Sequence, residues 1–280
     1  MKNNFIAIFA LIISSCSTLP KEITNSECIF PTNNTYPGGL INYSLDSIKS
    51  DVEENLKLGD LIFATCKSDS QLIVLAPIPL SYKENKVQVT VSNKVVASIP
   101  LQNKAYRESR IEIQNKSLVN PPEVMQDRIK EEYIQGQKAK NTLTRRGSKQ
   151  VMMNKPLAGI ISSEFGVRRF INNQPRNRHI GLDIAATEGT PVKVPLKGEV
   201  ILEGNFFYKG NVIYLDHGDG LVSSYSHLKS KTVTLGQEVS EGDILGYVGS
   251  TGRVTGPHLH WEVFYLGIPI NPEIFLKELY

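Results

Sequence analysis

The chain carries five histidines, and three of them fall in two short alternating runs. His258 and His260 stand two apart within Thr255-Gly256-Pro257-His258-Leu259-His260-Trp261-Glu262-Val263. On a β-strand that spacing sends both imidazoles to one face and Leu259, Trp261 and Val263 to the other. His179-Ile180-Gly181-Leu182-Asp183-Ile184 alternates in the same way. His179 and Asp183 share a face, with a gap at Gly181 between them. Imidazole and carboxylate together form a ligand set for zinc, and three protein ligands leave a fourth position for water.

These side chains must be held by β structure. From residue 157 onward the chain is rich in glycine, and short alternating strands are expected at 190–194, 198–203, 238–239 and 243–249. Residues 211–216 and 221–228 pair across His217-Gly218-Asp219-Gly220, a hairpin signal. His217 belongs to that turn and is expected to be structural. Residues 155–280 therefore read as an all-β, mainly antiparallel domain. Upstream, strands at 61–66, 71–76, 86–91, 94–100 and 110–114 suggest a small β-sandwich spanning 28–118. Between the two lies a helical linker, 119–154. Here Pro121-Pro122 precedes Val124, Met125, Ile129, Tyr133 and Ile134 at helical spacing over 123–144, and Arg145-Arg146-Gly147-Ser148 ends the run. The expected fold class is mainly β: a small N-terminal β-sandwich, a connecting α-helix and a C-terminal antiparallel β domain.

At 280 residues the chain is long enough for two domains, and 40% hydrophobic with 21% charged residues suits a globular protein. A net charge of +3, with no basic stripe interleaved with aromatics, argues against a nucleic-acid partner. The N-terminus reads as a targeting segment: Lys2, an apolar run over 5–13, then Ser14-Ser15. The run is too short to span a bilayer as a permanent helix. The small pair followed by Cys16 resembles a bacterial lipobox. It implies removal of residues 1–15, lipidation of Cys16, and a polar tether over 16–27. Two cysteines remain, and in an exported protein Cys28 and Cys66 are expected to form a disulfide.

Three motifs occur in order within the C-terminal domain: His179-x-x-x-Asp183, Tyr225-Ser226-His227-Leu228 and Thr255-Gly256-Pro257-His258-Leu259-His260. Together with Phe165-Gly166-Val167-Arg168, Gly189-Thr190-Pro191-Val192 and Asn271-Pro272 they resemble the lysostaphin/LytM-type zinc metallopeptidases, which cleave peptides of bacterial peptidoglycan. The resemblance covers about residues 155–276. It implies a duplicated-hybrid-motif-like metallopeptidase domain holding one Zn²⁺. More weakly, Ala105-Tyr106-Arg107-Glu108-Ser109-Arg110 and Val119-Asn120-Pro121-Pro122 are similar to the N-terminal domain of some Gram-negative members.

Residue by residue, the resemblance makes His179, Asp183 and His260 the zinc ligands, and His227 and His258 the catalytic histidines that do not bind metal. Which of these two is the general base stays open. Tyr225 would share the face of His227 and is expected to line the cleft. Glu262 shares the histidine face, as a support for the ligands or as a capping or solvated carboxylate. The loop 171–178 is expected to rim a substrate groove, where Arg176 and Arg178 could meet peptide carboxylates. The implied partners are peptidoglycan peptide stems and, through the lipid anchor, a membrane. The implied location is the periplasmic face of a bacterial membrane, the outer one being favoured by Ser17 after the lipidated cysteine. The helix or the first domain could occlude the cleft, and a regulatory protein partner stays unidentified.

Two rival readings stand beside this. One is a catalytically silent relative that binds peptidoglycan or activates another wall hydrolase, but such relatives typically lack ligands that are all present here. The other is a biotinyl- or lipoyl-type carrier, suggested by Gly198-Glu199-Val200 and Gly242-Asp243-x-Leu245. That hairpin would need a modified Lys, which His217-Gly218-Asp219-Gly220 lacks.

Overall fold

The structure is a computed structural model and describes residues 28–45, 55–67, 71–145 and 151–277. The expected signal peptide, the tether up to residue 27 and lipidation at Cys16 lie outside the described residues. Among the described residues, no helix is long and apolar enough to cross a membrane.

The first part contains β1 (Leu40–Leu45), β2 (Leu56–Leu58), β3 (Ala64–Lys67), β4 (Leu72–Pro77), β5 (Lys86–Val91), β6 (Lys94–Pro100) and β7 (Glu108–Ile111). Two three-stranded antiparallel sheets form, ordered β1-β4-β3 and β2-β5-β6. They close on a shared core of Ile41, Leu58, Val74, Ile78, Val87 and Val89. Alternation explains the pairing: along Lys86–Val91, Val87 and Val89 point inward and Lys86 and Gln88 outward. Cys28 and Cys66 are joined by a disulfide, with their Cα atoms 6.3 Å apart.

β7 leaves these sheets. It pairs in parallel with a strand of the C-terminal part, Glu108 opposite Arg168 through Ile111 opposite Ile171. Next come a short helix α1 (Lys116–Val119) and, after a single turn of 3-10 helix, the connecting helix α2 (Gln126–Lys140). The sequence pattern places Tyr133 and Ile134 on the apolar face of α2, but both are exposed, at 65% and 55%. The helix instead turns Met125, Ile129, Glu132, Gly136 and Ala139 inward. Two polar and close-approach contacts set that rotation. The Phe207 backbone N–H donates to Glu132 at 2.7 Å, and a side chain at Gly136 would crowd the Tyr214 hydroxyl.

The C-terminal part runs β8 (Ile160–Ser163), β9 (Arg168–Ile171), β10 (Gln174–Pro175), β11 (Leu182–Ala185), β12 (Pro191–Lys193), β13 (Gly198–Phe206), β14 (Gly210–Gly218), β15 (Leu221–Lys231), β16 (Glu238–Val239), β17 (Ile244–Val248), β18 (His258–Tyr265) and β19 (Ile268–Ile270). One large sheet is ordered β16-β13-β14-β15-β18-β11-β8, with β12, β17 and β19 attached. Its pairings are antiparallel, including the expected hairpin of β14 with β15. One face covers a core built around Trp261, Tyr225, Leu259, Val263, Ile213 and Leu245, and Leu40 and Leu75 of the first sheet belong to the same cluster. The other face carries His258 and His260. Farther along that face, α2 packs through Ala139 over Phe206, Val212, Tyr214, Val222 and Phe264.

Candidate metal centre

β18 and β11 are neighbours, with Asp183 directly opposite His260. The alternation of β18 puts Leu259, Trp261 and Val263 into the core. His258, His260 and Glu262 are thereby sent to the opposite face. His179 differs from the expectation: it precedes β11 and reaches the site from a loop. Its backbone N–H donates to Val167 O at 2.9 Å and its carbonyl accepts from Gly166 at 2.7 Å. Gly181 is needed, because a side chain there would meet the Trp261 carbonyl and the side chains of Glu262 and His260.

Three acceptor atoms converge. His179 Nε2 lies 2.9 Å from Asp183 Oδ1 and 3.0 Å from His260 Nδ1, and His260 Nδ1 lies 2.7 Å from Asp183 Oδ1. All three side chains are buried. Their other polar atoms are already committed. His179 Nδ1–H donates to Glu164 O at 2.7 Å, and His260 Nε2–H faces Glu262 Oε1 at 3.2 Å. Arg169 donates to Asp183 Oδ2. Each imidazole is thus pinned in the tautomer that points a lone pair at a common point. Burial by itself would raise the Asp183 carboxyl, but the two imidazoles set against it, His179 and His260, hold it well below the usual carboxylate range. Burial depresses His179, which keeps it available as a neutral ligand. Two imidazole nitrogens and one carboxylate oxygen, ionised, buried and this close, fit a Zn²⁺ ion at bond lengths of about 2.0–2.2 Å.

His227 and His258 stand beside this cluster. His258 Nδ1–H donates to Gly256 O at 2.8 Å, and its Nε2 lies 3.8 Å from Asp183 Oδ1. His227 Nδ1–H donates to Thr251 O at 2.8 Å. The ring centroid of His227 is 4.9 Å from that of His258 and 5.9 Å from that of His260. Both rings therefore leave Nε2 free. Burial holds His227 well below the ordinary histidine value, and the neighbouring His260 and His258 add to the effect. His258 is lowered as well, first by burial.

His227 reaches the site through a bulge. Asn211 pairs with Leu228 and Ile213 with Tyr225, so Ser226 and His227 together oppose Val212. His227 takes φ +65° there. This overturns the expectation that Tyr225 lines the cleft. Simple alternation gives residues 225 and 227 one face, but the bulge breaks it. Tyr225 sits opposite Trp261, fully buried in the core, its hydroxyl 2.7 Å from Ser223 Oγ.

The loop arginines separate too. Arg176 Nη2 donates to Val119 O at 2.9 Å and to Gln174 Oε1 at 2.6 Å. The Arg178 guanidinium donates to Gly166 O at 3.1 Å and lies 5.3 Å from the centre of the Tyr106 ring. It braces the turn before His179 against the first domain, where it was expected to rim the groove. His217 is structural, its Nδ1 bonded to Lys197 O and its Nε2 to Ser223 Oγ.

Sequence reasoning counted Arg169 among the arginines before His179 that could meet peptide carboxylates, but missed its pairing with Asp183, and it missed Lys209 altogether. Glu262 is 2% exposed. It receives Lys209 and Ser224 on one oxygen, and His260 on the other. A carboxylate on the histidine face of a strand whose other face is core must find a cation, and that signal is in the sequence. The identity of the cation, 53 residues away, is not.

Fold and donor set together are those of a metallopeptidase domain. Residues 177–272 match the family described as Peptidase family M23. The chain is similar to the protein named peptidoglycan DD-endopeptidase ShyA of Vibrio cholerae, with 43% identity over 112 residues, covering 40% of this chain and 26% of that one. It also resembles the crystal structure of a peptidase M23 from Pseudomonas aeruginosa, with TM-score 0.64 and 29% identity, over 87% of this chain and 95% of that one. The catalytic domain of lysostaphin from Staphylococcus simulans is 34% identical, with TM-score 0.39, over 43% of this chain and 93% of that one. The chain carries a peptidase family M23 domain over residues 177–272. It spans about a quarter of the length of the curated relatives it matches.

Proposed function

We propose that this protein is a zinc-dependent endopeptidase that hydrolyses peptide cross-links of bacterial peptidoglycan. The observation that carries the reading is the convergence of His179 Nε2, Asp183 Oδ1 and His260 Nδ1, flanked by two histidines that keep Nε2 free. Relatives named as peptidoglycan DD-endopeptidases support the substrate class. A complete ligand set and both further histidines disfavour the silent-binder alternative.

Bound Zn²⁺ would supply Lewis-acid polarisation and lower the pKa of water towards about 7. The chain's own residues do the rest. Neutral His227 and His258 present Nε2 as a proton acceptor to the attacking water. The imidazolium so formed can donate from Nε2 to the developing oxyanion or to the leaving amine. The Thr251 and Gly256 carbonyls hold the two rings in the required tautomer throughout. Arg169 keeps Asp183 ionised, and Glu262 holds neutral His260 in the tautomer and orientation that free its Nδ1.

The same reading places the protein at the periplasmic face of a bacterial membrane, tethered through Cys16, with the outer membrane favoured. The test is digestion of purified sacculi by the zinc-loaded protein, with muropeptides read by mass spectrometry. Loss of cross-linked species is expected, and must vanish with a chelator and in His260→Ala. Unchanged sacculi would overturn the proposal.

A further inference from the structure

The ligand cluster stands among more cationic charge than its own carboxylates use. Asp183 is matched by Arg169 and Glu262 by Lys209. Arg176 spends its guanidinium on a backbone carbonyl and an amide oxygen, and its buried Nε has no partner. Arg253 lies across the Tyr208 ring, its Cζ 4.2 Å from the centroid, and its backbone N–H donates to Tyr208 O at 3.0 Å. Among the described residues, neither Arg176 nor Arg253 forms an ion pair with a carboxylate. Burial lowers the Arg253 guanidinium from its ordinary value, and the like charges of Arg176 and Arg169 push it the same way.

These three cations come from two elements that bracket the site. Arg169 and Arg176 belong to the β9–β10 segment, where Arg169 touches Asp183. Arg253 lies two residues beyond Thr251, whose carbonyl holds His227. Part-buried cations that repel one another are costly unless an anion arrives between them. A guanidinium fork stacked on an aromatic ring leaves its edge free for bidentate contact with a carboxylate.

We infer that Arg253, with Arg169 and Arg176 behind it, forms a carboxylate-binding subsite beside the ligand cluster. It takes a free carboxylate of the substrate peptide near the scissile bond. This inference rests on the endopeptidase reading for the identity of the peptide. Arg253 is the member that contacts substrate. Arg169 is a positioning residue for Asp183, and Arg176 adds field.

The test uses two synthetic cross-linked stem peptides that differ in one group, a free carboxylate in one and a carboxamide in the other. Affinity for the zinc-loaded full chain is measured by calorimetry, and hydrolysis is followed separately. The carboxylate peptide should bind about 10- to 100-fold more tightly, as expected for a hydrogen bond to a charged group. In Arg253→Gln that ratio should collapse towards one with zinc content unchanged, and Arg253→Lys should restore part of it. Equal affinity of the wild-type chain for both peptides overturns the subsite. So does an Arg253→Gln chain that weakens both peptides equally, which would mark Arg253 as packing for Tyr208. Binding with the expected ratio but no hydrolysis would leave the subsite standing and sink the endopeptidase reading.

Discussion

His260 Nε2 and Glu262 Oε1 lie 3.2 Å apart, two residues apart on one face of β18. Glu262 in turn rests against Lys209 and Ser224. The Nδ1 lone pair of His260 is therefore aimed by a carboxylate whose own charge is cancelled by a lysine from the turn before β14.

Removing the charge of that carboxylate should weaken the metal. Glu262→Gln is expected to lower zinc affinity by about 10- to 100-fold, read by competition against a chromophoric chelator. Lys209→Met should act differently. It leaves the buried Glu262 without its cation, at a cost of about 3–5 kcal/mol in unfolding free energy. Denaturant melts of the zinc-loaded chain would show this, and an unchanged midpoint would contradict the charge-cancelling role.

The bulge at His227 makes a second, separable prediction. A non-glycine residue at φ +65° bears a backbone cost of about 1 kcal/mol that glycine does not. His227→Gly should therefore be more stable than His227→Ala by roughly that amount. Both should bind zinc normally, and both should lose about 10²–10⁴-fold in turnover. If the two variants melt alike, the strain argument fails.

The depressed basicity of His227 and His258 sets the pH profile. Burial, the first cause for each, lowers their pKa from the ordinary 6.5. Above 6.5 both rings are neutral in folded and unfolded chains, so they add no pH dependence to stability there. As pH falls below 6.5, the unfolded chain takes up protons that the native rings refuse, and stability drops. The acid limb of kcat/KM should lie below pH 6.5 for the same reason. Rate profiles should be measured with zinc content checked at each pH, and an acid limb above 7 would contradict the assignment.

Tyr106 of the first domain seats against the turn that leads to His179. A side chain at Gly166, where φ is +84°, would overlap the Tyr106 ring, and the Gly166 N–H is bonded to the His179 carbonyl. Gly166→Ala should cost about 2 kcal/mol or more and weaken zinc binding in parallel. Adding Tyr106→Ala should recover the steric part and leave the backbone part. A double-mutant cycle would then give a coupling of about 0.5–3 kcal/mol. Strict additivity would mean that the two residues do not meet.

The meeting of His260 with Asp183 was legible because β18 is regular. Period-two alternation makes His258, His260 and Glu262 face one way and Leu259 and Trp261 the other, and nothing interrupts it from His258 to Tyr265. The same rule misplaced Tyr225, because one extra residue in β15 resets the alternation before His227 and no residue type there announces a bulge. It also put His179 on a strand, when hydrogen bonds to Gly166 and Val167 hold it in a loop. The strands at Lys86–Val91 and Lys94–Pro100 are read correctly from their turn and alternation. The partner of β7 was out of reach, since parallel pairing across some sixty residues leaves no local mark. The rotation of α2 was misread for a related reason: Gly136 and Glu132 set it, and an apolar stripe does not record either.

That parallel pairing of β7 with β9 also bears on how the catalytic half behaves when severed. A fragment starting at residue 155 would lose residues 108–111 and leave one side of β9 with an open row of N–H and C=O groups. Such an edge is a template for self-association. Preparations of that fragment should sediment as oligomers, or need a lysine or proline placed on the bare edge to stay monodisperse. A fall in specific activity on truncation would then report clumping of the fragment before it reported anything about the chemistry.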